Sequence, residues 1–279
     1  MSKPKFKVPE WHGRHPFPPD KKKPTLISRD KILHFLLYGK TAYTDMNWLL
    51  ASTDRIHVGI YLIPPGGRFD PPDIHAGEEV YFMLEGTLTI FNPQTGDVHE
   101  VLAGEGLWIP KDCWHQGHNF TDKVVKGIWG IAPLMWNLKK GPPTEYPAVP
   151  RLFRYEEPEM YLWKKTDLPR MKVLNAANCC RVMFGKEHRI PVTFYASTDM
   201  IHMGEFTIPH NGYSEPESHK GDEVVFALRE NLTIFTPSTQ ETFEVKEGEA
   251  FFIPENVKHQ YYNFTNGITR SVFVIAPKL

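Results

Sequence analysis

Charge imbalance is missing from this chain. Its 279 residues carry 32 Lys and Arg against 33 Asp and Glu, a net charge of -1, so no overall field recruits nucleic acid or an anionic membrane. The short basic run Lys21, Lys22 and Lys23 is expected to be a solvated arm rather than a binding patch. Cysteine is scarce: Cys113, Cys179 and Cys180 make an odd set, and sequence neighbours rarely bridge without strain, so no disulfide framework is expected. A reducing, cytoplasmic setting fits that usage. No apolar run approaches spanning length, and no apolar signal core follows the first charges. Long helical patterns are lacking too, which leaves short β-rich runs to carry the fold.

What the chain does have is an internal repeat, at an offset of roughly 145 residues. Ala51, Ser52, Thr53, Asp54, Ile56, His57 and Gly59 return as Ala196, Ser197, Thr198, Asp199, Ile201, His202 and Gly204. Leu88, Thr89, Ile90, Phe91 and Pro93 return as Leu232, Thr233, Ile234, Phe235 and Pro237. His115, Gln116, Asn119 and Phe120 match His259, Gln260, Asn263 and Phe264, and Ile131, Ala132 and Pro133 match Ile275, Ala276 and Pro277. Collinear matching of this extent means duplication, and 279 residues suffice for two domains with a core each.

Residues 1–28, dense in Pro and Lys, read as an extended N-terminal arm, lying on a neighbouring surface or disordered. Asp30 to Tyr38 is compatible with a short helix or a strand. From Asn47 onward come short β-rich runs broken by Gly, Pro and Asn, at Ile56 to Ile63, Glu79 to Leu84, Thr87 to Phe91, Gly106 to Ile109, Trp114 to Asn119 and Val124 to Ile131. Such spacing predicts an antiparallel sandwich or barrel. The first barrel is expected over 29–138, a Pro-rich linker over 139–151 and the second barrel over 152–279, with Leu152 to Cys180 packing across both.

The repeat carries metal-ligand residue types twice: Asp73, His75, Glu79 and His115, then Glu217, His219, Glu223 and His259. Alternation along a strand puts Asp73 and His75 on one face, and Glu217 and His219 likewise. Glu79 follows after a turn containing Gly77, Glu223 after Gly221, and a distant strand supplies His115 or His259. Two imidazoles and two carboxylates per barrel suit a divalent ion. By the same parity Tyr81 and Met83 accompany Glu79, Val225 and Ala227 accompany Glu223, Gly117 accompanies His115, and Tyr261 accompanies His259. The first pocket is thus expected to be walled by Tyr81 and Met83 and open at Gly117, the second the reverse, with Tyr261 projecting. Tyr81, Met83 and Tyr261 are the candidate substrate contacts, although core packing is the simpler role for Met83, Val225 and Ala227. His57 and His202 could donate to the ligands from behind but more commonly such a histidine holds a strand end, and Cys113 reads as packing.

The first half resembles a cupin: Gly67, five residues, Asp73, one residue, His75, three residues, Glu79, six residues, Gly86, then Gly104, Pro110, His115 and Asn119. Cupins normally have histidine where Asp73 stands and glycine where Asp112 stands. The second half resembles the motif less strictly, with Glu217 for that histidine and Glu230 for the turn glycine matching Gly86. The resemblance runs from about residue 47 onward and implies a bicupin, two tandem all-β jelly-roll barrels with few short helices, usually each with a metal pocket.

It further implies a divalent ion (Fe, Mn or Zn), a small-molecule substrate that chelates it, such as a keto acid, sugar acid or phenolic, and a homo-oligomer. With Asp73 as fourth ligand the site is neutralised and suits non-redox isomerisation, elimination or hydrolysis, Asp73 and Glu79 being the candidate catalytic groups. With Asp73 outside the ligand set, His75, Glu79 and His115 form the facial set that suits ferrous iron with open positions, Asp73 would be a natural general base beside the metal, and an iron-dependent dioxygenase is the alternative reading. A sugar- or acid-binding protein without turnover is the third reading. The first barrel is the expected reaction site.

Overall fold

The computed structural model describes residues 20–36, 45–136 and 168–279. The expected linker at 139–151 lies outside the described residues, as do residues 1–19 of the arm and 152–167. In the ambiguous segment after the arm a 3-10 turn, Arg29–Lys31, leads into a strand; it is the only helical element among the described residues. None there is long and apolar enough to cross a membrane.

The strands are β1 (Thr25–Ile27), β2 (Leu33–Leu36), β3 (Met46–Ser52), β4 (His57–Ile63), β5 (Glu78–Glu85), β6 (Thr87–Phe91), β7 (Val98–Leu102), β8 (Gly106–Ile109), β9 (Gln116–His118) and β10 (Val125–Ala132). Then follow β11 (Lys172–Leu174), β12 (Cys180–Phe184), β13 (Ile190–Ser197), β14 (His202–Ile208), β15 (Asp222–Arg229), β16 (Leu232–Thr236), β17 (Glu241–Val245), β18 (Ala250–Ile253), β19 (Gln260–Tyr262) and β20 (Thr269–Ala276). They form two jelly-roll barrels. In the first, a seven-stranded sheet β11-β8-β5-β10-β4-β3-β2 accompanies a three-stranded sheet β7-β6-β9. In the second, β1-β18-β15-β20-β14-β13-β12 accompanies β17-β16-β19.

Each core lies between a large and a small sheet. In the second barrel Val192, Phe206, Val225 and Phe273 of the large sheet pack with Leu232, Ile234, Val245 and Tyr261 of the small one. Strict alternation in β6 and β16, where every second residue is buried, marks strands with one face to the core.

Two edge strands cross the consecutive division read from the sequence. Thr25–Ile27, within the arm, pairs with β18 of the second barrel, and Lys172–Leu174, beyond the linker, pairs with β8 of the first. They hold equivalent places in the two sheets, one against β18 and the other against β8, but share no identical residue, so the repeat does not announce them.

The most closely matched stretch of the repeat is a turn braced by its own hydroxyls, with Thr53 Oγ1 also donating to Asp222 at 2.9 Å. Thr53 Oγ1 accepts from the Arg55 and Ile56 amides, and Thr198 Oγ1 from those of Met200 and Ile201. Ser52 Oγ and Ser197 Oγ each bond Nδ1 of the histidine that opens the next strand, His57 and His202, at 2.9 Å. These histidines hold strand ends.

Left-handed backbone explains two departures from the cupin pattern. Asp112 has φ 59°, which is why glycine is usual there, and Glu230 has φ 62° where Gly86 has φ 77°. A side chain in that region costs about 1–2 kcal/mol. Glu230→Gly is therefore expected to raise stability by up to about 1 kcal/mol once the extra freedom of glycine in the unfolded chain is set against it. Urea unfolding checks this, and a loss of stability would show that the Glu230 side chain offsets its own strain.

Candidate metal centres

Asp73 and His115 are directly opposed across an antiparallel bridge, each donating its amide to the other's carbonyl at 2.8 and 3.0 Å. Glu217 and His259 repeat this at 2.9 Å both ways. Opposed residues put side chains on one face, and His75 and His219, two residues further on, share it. Glu79 enters from β5, between Ile109 of β8 and Ile131 of β10, and Glu223 enters from β15 in the same way, between Ile253 and Ile275.

The four side chains of each set converge. Ligand atoms of Asp73, His75 and His115 lie within 4.8 Å of one another, and Glu79 Oε2 stands 3.3 Å from His75 Nε2 and 3.0 Å from His115 Nε2. In the second barrel His219, Glu223 and His259 lie within 4.8 Å, with Glu223 Oε2 at 2.8 Å from His219 Nε2 and 3.3 Å from His259 Nε2. Glu217 is looser, its Oε1 3.7 Å from His259 Nε2 and its side chain 28% exposed.

Every imidazole is oriented from behind. His75 Nδ1 bonds the Met135 carbonyl, His115 that of Cys113, His219 that of Gly221 and His259 that of Val257, at 2.7 to 3.0 Å. A carbonyl only accepts, so each Nδ1 carries its proton and each Nε2 faces a carboxylate. The buried Nε2 atoms of His115 and His259 make no well-formed hydrogen bond. Four such nitrogens beside buried carboxylates fit a divalent ion in each barrel.

Without an ion the groups pair with one another. Although burial opposes it, His75 and His115 pull the Glu79 carboxyl down to about 2, and against burial Glu79 raises His75 to about 9. Burial, then the Glu223 charge, pushes Glu217 up to about 7, while against burial its two histidines hold Glu223 at about 2. Burial also raises Asp73. His75 thus contributes stability that is complete below pH 6.5 and lost as the pH rises to about 9, and Glu79 contributes stability complete above pH 4.5 and lost toward about 2. Glu217 adds a penalty that grows from pH 4.5 to about 7. The chelated protein is expected to melt highest near pH 5–6 and to lose on the order of 3 kcal/mol by pH 9. With metal bound the slope reverses, because the ion needs deprotonated imidazoles. A chelated profile flat up to pH 9 contradicts the pairing.

The expected pocket walls are partly corrected. Position 117 is not open: a Cβ on Gly117 would lie 2.7 Å from the Phe69 ring, which fills that space and is itself buried. At the matching place in the second barrel Ser214 stands for Phe69, and Tyr261 stands for Gly117, its amide bonded to Ser214 Oγ at 2.9 Å. Aromatic bulk has moved from one strand to the strand opposite. This reciprocal exchange was visible in the repeat as a large/small swap, the signal that parity alone missed. Tyr81 is buried 6.5 Å from both His115 and Phe69 between ring centroids, while Met83 takes a bond from Tyr61 Oη at 2.8 Å and belongs to the packing. Val225 and Ala227 lie in the core. Tyr261 stacks on Phe206 with centroids 4.9 Å apart, and its buried hydroxyl lies beside Glu223. Cys113 is buried, and that burial pushes its thiol to about 12, so it packs.

Beside the second set, Ile190, Val192, Phe194, Phe206, Phe273 and Ile275 wall a pocket that reaches Ser214, Glu217, Glu223 and Tyr261.

Residues 59–131 match the family model for the cupin domain. No curated protein matches in sequence. Among solved structures, a glyoxylate-induced protein from Pseudomonas aeruginosa is similar at TM-score 0.64 and 17% identity, over 95% of this chain and 93% of that one. AerE from Microcystis aeruginosa is similar at 0.62 and 13%, over 88% and 97%. The oxalate decarboxylase of Lactobacillus farciminis, in a formate complex, is similar at 0.61 and 13%, over 88% of each chain. The first barrel thus contains a cupin domain, and the second repeats its strand order and its ligand geometry.

Proposed function

We propose that the chain is a metal-dependent enzyme that acts on a small oxygenated substrate, a keto acid, sugar acid or phenolic, by non-redox proton transfer. The observation that carries this is the orientation of four imidazoles, Nδ1 to a carbonyl and Nε2 to a buried carboxylate. In the first barrel His75, Glu79 and His115 would hold the ion, with Asp73 beside them. A bound divalent ion supplies Lewis acidity. Asp73 is half-buried and its carboxyl is raised by burial, which suits it to take a proton from carbon next to a carbonyl and return it. The Tyr81 phenol, raised far by burial and the Glu79 charge, stays protonated and can donate to a substrate oxygen. The oxalate decarboxylase that shares the fold is named for a small carboxylate, which fits this substrate class.

A second reading has its own support. Glu217 stands off from the tight group of His219, Glu223 and His259, which leaves two imidazoles and one carboxylate, the set that suits ferrous iron with positions open to substrate and oxygen. Stripping the protein anaerobically and reloading it with Zn²⁺, Mn²⁺ or Fe²⁺ separates the two. The non-redox reading expects turnover of keto or sugar acids with Zn²⁺ or Mn²⁺ and no oxygen. Activity with iron alone, with oxygen consumed mole for mole, overturns it in favour of a dioxygenase. Ligand affinity unchanged by chelation, with no turnover, would leave a binding protein.

A further inference from the structure

The two barrels differ most where their repeat positions face the interior beyond the ligands. In the first, Asp45 and Asn47 are buried at the start of β3 and hydrogen-bonded to one another, and Tyr81 and Met83 fill the space beside Glu79. In the second the matching positions hold Ile190, Val192, Val225 and Ala227. Polar groups have become aliphatic, and the two large side chains beside the carboxylate have become small. Tyr261 does not refill the volume, because it stacks against Phe206.

What remains is a pocket open to solvent, with about 430 Å³ of empty space when its mouth is counted. Buried Glu223, Ser214 and Tyr261 and half-exposed Glu217 supply its polar groups, Ile190, Val192, Phe206 and Phe273 its buried apolar wall, and half-buried Phe184 and exposed Leu279 mark where it meets solvent. A sugar would set its hydroxyls against those walls without partners, a short keto acid would leave the walls unfilled, and a hydrocarbon alone would leave the buried Tyr261 hydroxyl without a ligand partner.

We propose that the second barrel binds an acid with an apolar body, an aryl or branched-chain carboxylate or 2-oxo acid. Its oxygen head reaches the His219, Glu223 and His259 centre, and its ring or branch lies between Val192, Phe206 and Phe273. The assignment rests on the metal reading above, since an anionic head needs the ion between it and two carboxylates. It gives the two barrels different ligands.

The experiment is calorimetry of the zinc-loaded full chain with phenylpyruvate and with pyruvate, which share a head and differ by the ring. Burying a phenyl group predicts phenylpyruvate tighter by at least about tenfold. His259→Ala should abolish that binding while His115→Ala leaves it. Val192→Asn, which installs the residue type found at position 47, and Phe184→Ala at the partly exposed end should each reduce the ring preference severalfold with the zinc content unchanged. Phe184→Ala keeps the test open if Val192→Asn does not fold. Pyruvate binding as tightly as phenylpyruvate, neither acid binding the loaded chain, or a ring preference untouched in the folded variants overturns the assignment. Elemental analysis tells the two failures apart: a second barrel without zinc sinks the metal reading and this inference with it, whereas zinc bound without ring preference sinks the inference alone.

Discussion

His115→Ala is expected to empty the first barrel of metal and leave the second loaded, so that the purified chain falls from two ions to one; His259→Ala should do the converse. Both histidines are wholly buried, and Nε2 of each lies 3.0 and 3.3 Å respectively from the carboxylate that anchors its set. Deleting an outer partner of a metal ligand typically costs 10–100-fold in affinity, and loss of the ligand itself should exceed that. The chelated form of His115→Ala should also be less stable, by about 3–5 kcal/mol, because Glu79 keeps a buried charge with one imidazole in place of two. His57→Asn and His202→Asn serve as controls, since these residues pin strand ends through Ser52 and Ser197, and both should retain two ions. Two ions still bound in His115→Ala would mean that Asp73, His75 and Glu79 suffice.

Most of the architecture was legible because the information sits in repeated, locally readable patterns. The alternation in β6 and β16, the seven-residue turn motif and the ligand spacing each state one structural fact twice, and the fold follows from their order. The ligand face was legible for the same reason, since strand parity at Asp73 and His75 leaves few places for the imidazole to go. What escaped was non-local. The exchanged strands Thr25–Ile27 and Lys172–Leu174 are three residues long, and their pairing is set by a sheet edge far away in sequence. The carbonyls that orient the histidines, such as Met135 for His75, carry no residue-type signal at all. The second-barrel pocket depends on side-chain volumes compared between the barrels rather than on parity along one strand: Ile190 and Val192 are ordinary core types, and only beside Asp45 and Asn47 do they stand out as pocket wall.

The exchange of Phe69 and Gly117 for Ser214 and Tyr261 makes a prediction of comparable size. Gly117→Tyr alone must drive a ring into the Phe69 ring, whose atoms already lie 2.7 and 3.0 Å from where a Cβ would stand, and Phe69 has no room to retreat from Tyr61 at 5.6 Å and Tyr81 at 6.5 Å between centroids. Overpacking of this kind costs about 1–3 kcal/mol or more. Phe69→Ser alone deletes a buried ring and should cost about 3–5 kcal/mol. The double variant rebuilds the arrangement that the second barrel already uses, in which Ser214 accepts the Tyr261 amide at 2.9 Å and the phenol occupies the vacated volume. A double-mutant cycle should therefore return a favourable coupling of several kcal/mol, far above the few tenths seen between independent sites. Near-additivity would mean that the two barrels pack their small sheets in unrelated ways despite the shared backbone register, in which Ile90 faces Gly117 as Ile234 faces Tyr261. The same cycle bears on function: because Phe69 and Tyr261 occupy one volume from opposite strands, moving the ring changes which side of the His115 centre a ligand can approach. The double variant should keep its metal while its substrate preference shifts, an outcome that steady-state kinetics alongside ion counting can read.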